Sequence, residues 1–499
     1  MVHARLMLAG AVAAALVPLA VPGTASAQRT DAVIGMTLEP PYLDPTAGTA
    51  AAIDEVTYTN VFEGLTRIDE TGAVVPGLAE SWAVSDDGLT YTFQLRSGVT
   101  FHDGTAFDSA DVKFSLERAM APDSTNAQKQ YFEPIASVET PSPTEVVVTL
   151  SEPDGLFLFN MGQGDAVIVA PESADTNTTD PVGTGPFRFA EWVQGDRVEL
   201  VKNPDFRDAD AIALERITFR FISDAPAQVA ALLAGDVDAF SNMGAPETLV
   251  RFESDPRFVV DVGTTEGETV MSLNWRREPF DDPLVRQAVM HAIDRQALVD
   301  GAMFGYGTPI GSHFAPHHPA YVDLTGLYPH DPERAKELLA EAGHPDGFEA
   351  TFKLPPPVYA RRGGEIIQAQ LAEIGIRVDL EPVEWAQWLE QVFTNHDYDM
   401  TIVSHVEPLD IGIYGRGLNY YFGYRSEAFG EILAALDDTT DESERRRLYG
   451  QAQEILGRDL ASIFLFQLPK IGVRAAKLEG MWSNSPVPAN DMTNAHWVE

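Results

Sequence analysis

Apolar and polar residues along this chain alternate between a strand-like and a helix-like pattern. Residues 144–150, TEVVVTL, are rich in β-branched side chains, and residues 217–222, ITFRFI, alternate with period two, so both predict strands. Asp282 and Pro283 supply an N-cap and a first-turn proline, and the apolar spacing that follows predicts one helix through residue 303. Strands interleaved with helices predict α/β domains with mixed sheets.

Other segments have clear start, stop or turn signals. Asp331 opens a predicted helix that Gly343 closes, and residues 367–374 form an apolar stripe that also ends at a glycine. Gly183 and Gly185 predict a tight turn before a strand. We interpret the apolar stripes as ordinary core packing.

The first 27 residues have the pattern of a secretory signal peptide. Arg5 provides a weak positive charge, residues 6–21 are mostly apolar, and residues 25–27, Ala-Ser-Ala, match the small-x-small cleavage pattern. A membrane anchor is the alternative, but a glycine and prolines interrupt the apolar stretch, which a spanning helix of about 20 residues does not favour. We therefore predict cleavage before Gln28.

The chain contains no cysteine. This excludes disulfides, thiol catalysis and zinc–thiolate sites. It also excludes the lipid-bearing cysteine that tethers exported lipoproteins. The sequence therefore predicts a free periplasmic protein and not a lipoprotein.

Length and charge narrow the architecture and the partners. Single hydrophobic cores stop growing at about 250–300 residues, so a chain of 499 residues predicts at least two domains. The sequence has 34 Lys and Arg against 75 Asp and Glu, a net charge of −41. Such a chain is repelled by nucleic acid and by anionic lipid, so we expect no nucleic-acid partner. We also expect a monomer.

Sequence motifs of enzymes are missing. The chain has no G-x-S-x-G, no H-E-x-x-H, no P-loop and no G-x-G-x-x-G after a strand, so we expect no catalytic residues and no cofactor. One histidine cluster, His313, His317 and His318, permits two interpretations. Imidazoles suit a transition metal, whereas the intervening prolines favour a stiff polar loop, which we prefer.

Several longer motifs resemble a known family. They are PGLAESW at 76–82, LRSGVTFHDG at 95–104, PVGTGPFRF at 181–189, LLAGDVDAF at 232–240, and the stretches 273–300 and 331–348. In this order they are similar to the peptide/nickel-type substrate-binding proteins of ABC importers, solute-binding protein family 5, which includes dipeptide- and oligopeptide-binding proteins. The resemblance extends from Leu43 almost to the C-terminus.

The resemblance implies a type II-like periplasmic binding fold, with two lobes of mixed sheets around a hinged cleft and an extra inserted subdomain. The implied parts are lobe I at 28–64, 181–268 and 466–499, the insertion at 65–180, and lobe II at 269–465. It also implies that a solute binds in the cleft, favours the closed form, and is delivered to an ABC permease with its ATPase. A ligand-dependent sensor or chaperone on the same scaffold is the alternative.

The predicted ligand is a peptide, although one feature departs from the family. Peptide binders carry an aspartate, shortly before Asp-Pro or Glu-Pro, that pairs with the α-amine of the peptide. If Glu407 and Pro408 match that pair, Ser404 stands where the aspartate would be, and Glu407 or Asp410 is left to replace its charge. Nickel chelates, glutathione, opine-like conjugates and oligosaccharides remain alternative ligands.

Four more side chains are candidates for the cleft. Trp385 and Tyr420 belong to an aromatic-rich stretch of the kind that small-molecule clefts use, and Tyr42 directly precedes Leu43, where the resemblance begins. Arg361 could hold a ligand carboxylate by paired hydrogen bonds. The alternative for Arg361 is a solvated helix start, and the alternative for the aromatic residues is core packing.

Overall fold

The computed structural model describes residues 29–499 except 49, 244, 245 and 438. The predicted signal peptide, residues 1–27, lies outside the described residues. The strands are β1 (Asp31–Met36), β2 (Thr66–Ile68), β3 (Val74–Pro76), β4 (Ala79–Val84), β5 (Thr90–Leu95), β6 (Ile135–Ser142), β7 (Glu145–Leu150), β8 (Phe187–Val193), β9 (Arg197–Lys202), β10 (Arg216–Phe221), β11 (Ala239–Phe240), β12 (Phe258–Leu273), β13 (Thr308–Pro309), β14 (Glu349–Leu354), β15 (Arg377–Pro382), β16 (Met400–His405), β17 (Ile463–Ala475), β18 (Leu478–Glu479) and β19 (His496–Trp497).

Helices alternate with these strands. They are α1 (Ala51–Thr57), α2 (Ser109–Met120), α3 (Phe157–Asn160), α4 (Ala225–Ala234), α5 (Val250–Glu253), α6 (Pro283–Ala292), α7 (Arg295–Met303), α8 (Pro332–Glu341), α9 (Val358–Glu373), α10 (Trp385–Trp388), α11 (Glu427–Asp437) and α12 (Glu442–Asp459). A π-helical turn, Leu389–Thr394, continues α10. Strands and helices thus form the mixed α/β fold that the sequence predicts.

One mixed sheet runs through both halves of the molecule. Its strand order is β15-β14-β16-β12-β17-β11-β1-β10-β9-β8, and β13 also pairs with β17. The long strands β12 and β17 are antiparallel partners at its centre, and their register is interrupted between Thr264 and Glu268. On one side of this interruption the sheet continues through β16, and on the other through β11. The two long strands therefore connect two lobes.

A second, antiparallel sheet stands apart from the first. Its strand order is β4-β5-β7-β6, and α2 packs against it. The buried apolar residues around it form a cluster drawn entirely from residues 65–170. Asp108 caps α2, and a capping box with Asp111 completes the helix start. This sheet and its core form the additional subdomain of the fold.

Local capping signals explain most helix boundaries, with one correction. Asp331 and Asp282 accept hydrogen bonds at the starts of α8 and α6, as predicted. The prediction of one continuous helix from Pro283 to residue 303 is wrong. Ile293 leaves the helical conformation, and the side chain of Asp294 accepts from the Ala297 N–H as a second N-cap. The apolar spacing was continuous because both helices pack on the same core.

The C-terminal stretch returns to the first lobe. Buried residues from Leu478 to Trp497 pack in the same cluster as the apolar residues of β1, and the Trp497 indole donates to the Asp31 carbonyl. Within the described part of the chain, every helix is too short or too polar to cross a membrane. The boundaries that we predict between the lobes at 268/269 and 465/466 lie in β12 and β17 and stay a prediction.

Candidate functional site

A cleft of about 1240 Å³ lies between the lobes. Its walls come from the α1 region, from residues 128–165 of the additional subdomain, and from residues 388–421 around β16. Val487 and Pro488 of the C-terminal stretch complete it. Both lobes and the subdomain contribute residues to the lining of the cleft. A solute that fills the cleft therefore contacts both lobes, which the interrupted strands β12 and β17 connect.

Two aspartates define the wall on the first-lobe side. Asp54 lies on α1 and Asp165 lies in a short turn at Gly164–Ala166. The Oδ1 atom of each is buried and has no hydrogen-bond partner among the described residues. Burial, followed by the charge of Asp165, raises the pKa of Asp54 well above its usual range. Burial also raises the pKa of Asp165 to about 7. Among the described residues, no cationic side chain lowers the pKa of either carboxyl.

The rest of the lining is also acidic. The described residues that line the cleft include seven carboxylate side chains and one arginine, Arg416. The carboxylates are those of Asp54, Glu133, Glu152, Asp154, Asp165, Glu407 and Asp410. A cleft with walls of one charge raises the local concentration of the opposite charge, which here is positive.

Aromatic side chains form the opposite wall. Trp388, Phe393, Tyr420 and Tyr421 line the cleft, and the rings of Tyr420 and Tyr421 lie 5.0 Å apart. The Trp388 indole donates to Thr401 Oγ1 at 2.8 Å, which fixes its ring against β16. Such rings give a rigid apolar surface to a bound solute.

Four of the predicted site residues line this cleft: Ser404, Glu407, Asp410 and Tyr420. Ser404 Oγ is buried and has no hydrogen-bond partner in the described part of the chain, whereas the Glu407 side chain is exposed. Asp410 accepts a 2.6 Å hydrogen bond from His313 Nε2. Burial opposes the ionisation of Asp410, but His313 outweighs it and lowers the pKa of this carboxyl. Asp410 is therefore already engaged within the protein.

The structure places Tyr42, Arg361 and Trp385 outside the lining. The Tyr42 hydroxyl donates to the Ala47 carbonyl at 3.2 Å. The Arg361 guanidinium donates to the carbonyls of Pro355 and Val383, both at 2.9 Å. Trp385 is 42% exposed and contacts Trp388 edge to face. Arg361 therefore directs two of its donors at internal carbonyls and lies outside the lining of the cleft.

Sequence reasoning missed Asp54 and Asp165. Neither belongs to a motif, and each resembles one of many surface acids in a chain with 75 acidic residues. Only the fold brings α1 and the turn at Gly164–Ala166 to one wall. No sequence signal separates these two from the others.

The three histidines of the cluster diverge. His313 points to Asp410, while His317 Nε2 lies 2.7 Å from Glu266 Oε1 and its Nδ1 hydrogen-bonds to the Thr264 hydroxyl. His318 Nδ1 accepts from the Ala320 N–H. The three imidazoles have separate partners, so they do not form one site together.

A two-lobed fold with a solute-sized cleft at a hinge-like strand pair defines a binding protein. A profile of the bacterial extracellular solute-binding proteins, family 5, middle region, matches residues 73–409. The chain belongs to this family. It is therefore a solute-binding protein of the kind that serves ABC importers, and not an enzyme.

Individual relatives agree with this assignment. The glutathione-binding protein GsiB of Salmonella paratyphi A is 31% identical over 442 residues, which is 84% of this chain and 86% of the relative. Heme-binding protein A of Haemophilus influenzae is 32% identical over 431 residues, 77% of each chain. The solved structure of HbpA2 from Haemophilus parasuis has a TM-score of 0.86 at 25% identity and covers 94% of this chain and all of its own.

Proposed function

We propose that this protein captures a peptide through its protonated amine and delivers it to an ABC permease. The observation that carries the proposal is the pair Asp54 and Asp165, whose buried Oδ1 atoms lack partners at the wall of the cleft. An ammonium group donates up to three hydrogen bonds, and its positive charge offsets the negative charge of the ionised aspartates.

General acidity alone does not support this choice of ligand. The whole chain has a net charge of −41, so an acidic cleft wall is expected for many ligands. The aspartate pair is different because burial makes an uncompensated carboxylate costly, and exposed surface acids do not bear this cost. A site that keeps two such groups near one another favours a cationic occupant.

The opposite wall supports a peptide over a simple amine. The aromatic side chains Trp388, Phe393 and Tyr420 offer apolar surface, while Ser404 and Glu407 offer polar groups nearby. Small-molecule pockets of about 300–1000 Å³ already enclose drug-sized ligands. A cleft of about 1240 Å³ therefore has room for a peptide of several residues.

The two named relatives bind ligands of different chemical classes. A glutathione-binding relative and a heme-binding relative are about equally similar to this chain. Glutathione is a peptide with a free α-amine, which matches the aspartate pair. Heme has anionic propionates and no amine, so it offers no cationic group to the aspartate pair. The charge of the cleft favours the peptide class.

The remaining parts of the proposal concern location and movement. We propose that the signal peptide is removed after Ala27 and that the mature chain is a monomer, free in the periplasm without a lipid anchor. Closure occurs where β12 and β17 lose register, between Thr264 and Glu268. A solute drives closure only by contacting the closed state better than the open one, and contacts to both walls meet this condition.

A thermal-shift screen tests the proposal. The mature protein is melted with di- to pentapeptides, glutathione, the N-acetylated form of each, and heme. We expect free-amine compounds to raise the melting temperature and their acetylated counterparts to lose most of the effect. Equal stabilisation by acetylated and free peptides, or stabilisation by heme alone, would contradict the proposed ligand class.

A further inference from the structure

We propose that Glu268, His313, His405 and Asp410 form a binding site for one divalent transition-metal ion, behind the second-lobe wall of the cleft. This site uses different residues from the aspartate pair, and two of its members, His405 and Asp410, belong to the opposite wall of the cleft. The site includes His313, from the histidine loop that the sequence analysis identified, and three residues that are remote from it in the chain.

The sheet brings the first two side chains together. Glu268 of β12 and His405 of β16 are direct partners in the antiparallel register. Directly opposed residues point to the same face of a sheet with their Cβ atoms about 5 Å apart. A carboxylate and an imidazole therefore project side by side from adjacent strands.

Two further side chains approach that face. His313 belongs to the loop after β13, and Asp410 follows β16. Nε2 of His313 lies 2.6 Å from Asp410 Oδ1, and Nδ1 of His405 lies 3.7 Å from Asp410 Oδ2. The candidate ligand atoms of Glu268, His313 and Asp410 all lie within 4.8 Å of one another, and those of His405, Glu407 and Asp410 form a second such group that shares Asp410. Asp410 is thus the centre of the cluster, with one oxygen toward each imidazole.

The buried carboxyl group of Glu268 is the feature that favours a bound cation. Its side chain is only 2% exposed, and Oε2 has no hydrogen-bond partner among the described residues. No ion pair of the described chain involves it, whereas Asp410 is shared by two histidines. With neutral imidazoles the cluster holds two buried carboxylates, and a divalent ion supplies the matching charge.

The donor set fits a borderline metal. Two imidazoles and two carboxylates suit Zn²⁺ and related ions, with bonds of about 2.0–2.2 Å. Tetrahedral ligands at that distance are about 3.4 Å apart. His313 and Asp410 need to separate by less than about 1 Å from their present hydrogen bond, a shift within the reach of side-chain rotation.

The outer contacts prepare this arrangement. The Tyr421 hydroxyl lies 3.0 Å from His405 Nε2, which orients the ring with Nδ1 toward Asp410. Metal-ligating histidines usually have such a partner on the other ring nitrogen. Binding would join β12, the loop after β13 and the segment after β16. Because His405 and Asp410 also line the cleft, the metal would stiffen the wall that receives the solute.

The test uses untagged mature protein stripped of metal with a chelator. Zn²⁺ is titrated calorimetrically, and Co²⁺ is followed by its visible absorption. We expect one equivalent to bind, with a Co²⁺ spectrum that lacks thiolate charge transfer because the chain has no cysteine. Glu268→Gln and His313→Gln should each weaken binding at least about 100-fold. His317→Gln is the matched control, a buried histidine of the same loop with a different partner, and should bind as the wild type does.

Anomalous diffraction at the zinc edge from wild-type crystals needs no variant. A peak among Glu268, His313, His405 and Asp410 supports the proposal even if a variant fails to fold. No binding by the stripped wild type, or a peak elsewhere, overturns it. Equal binding by wild type and by folded Glu268→Gln and His313→Gln variants, checked by circular dichroism, overturns it as well.

Discussion

Asp54 and Asp165 line one wall of the cleft together, and the charge of Asp165 adds to burial in raising the pKa of Asp54. One comes from α1 and the other from a turn of the additional subdomain, so solute contact with this pair reports on two parts of the fold at once. The relationship links the architecture to the proposed ligand, because one cation bound between the two aspartates would offset the charges of both.

The first prediction concerns affinity for a free-amine peptide. Asp54→Asn and Asp165→Asn should each weaken binding about 10- to 100-fold, because each removes one charge-assisted hydrogen bond. Isothermal titration calorimetry measures the change. Glu133→Gln, an exposed carboxylate of the same lining, is the control and should change affinity less than about threefold. An unchanged affinity in both aspartate variants would refute the role of the pair.

The second prediction concerns pH and stability. Burial raises the pKa of Asp165 from 3.8 to about 7, so between these values the folded chain holds a proton that the unfolded chain releases. The protonated Asp165 carboxyl therefore makes its full contribution to stability below about pH 4, and this contribution is lost as pH rises through 7. The melting temperature of Asp165→Asn, relative to wild type, should increase from pH 4 to pH 8. A difference that stays flat or falls over this range would argue against a buried, uncompensated Asp165.

The same titration predicts how solute binding depends on pH. Below about pH 7 the Asp165 carboxyl takes up its proton and loses the charge that attracts an ammonium group. Affinity for a free-amine peptide should therefore fall between pH 8 and pH 5.5 in the wild type. The fall should be smaller in Asp165→Asn, and calorimetry at several pH values distinguishes the two.

The aromatic wall gives a prediction with a matched pair. Tyr420→Ala should weaken peptide binding about tenfold, because its ring lines the cleft and packs at 5.0 Å from Tyr421. Trp385→Ala removes a larger ring that is exposed and outside the lining, so it should leave affinity unchanged. The reverse pattern would place the solute on the outer surface of α10.

Stability depends on the close approach of Gly183, before β8, to the backbone of Val61. A Cβ atom on Gly183 would lie 2.0 Å from the Val61 carbonyl oxygen, which no backbone tolerates without a shift. Gly183→Ala should cost about 1–3 kcal/mol of unfolding free energy in denaturant titrations. Gly326→Ala is the control, because nothing lies within 4 Å of its Cβ position. Equal stability of the two variants would show that the backbone at Gly183 and Val61 relaxes freely.

Local signals in the sequence predict much of the fold. The caps Asp282 and Asp331 depend on neighbours within a few residues, and the structure confirms them. At Gly183 the structure shows a close approach to the Val61 backbone, which is remote in the chain. The break at Asp294 was missed because the apolar spacing continues across it, and a cap aspartate inside a periodic stretch looks like a surface residue. The family motifs predicted the overall fold because we interpret most of their residues as structural and not as ligand contacts.

The site was only partly predictable. Ser404, Glu407 and Asp410 were proposed from the resemblance and Tyr420 from the aromatic-rich stretch, and all four lie in one short segment that lines the cleft. Arg361 was proposed from its charge, but its partners are carbonyls that only the folded chain brings near. Asp54, Asp165 and the pairing of Glu268 with His405 depend on contacts between remote segments, which no local pattern encodes.

Closure of the cleft around an amine-bearing peptide is the central claim, and energy transfer between two dyes measures it directly. The chain has no cysteine, so Ser137→Cys on β6 and Ala428→Cys on α11, both exposed, accept one dye each. The account predicts a higher transfer efficiency with a saturating free-amine peptide and little change with its acetylated form. A peptide that binds tightly without changing the transfer efficiency would contradict it.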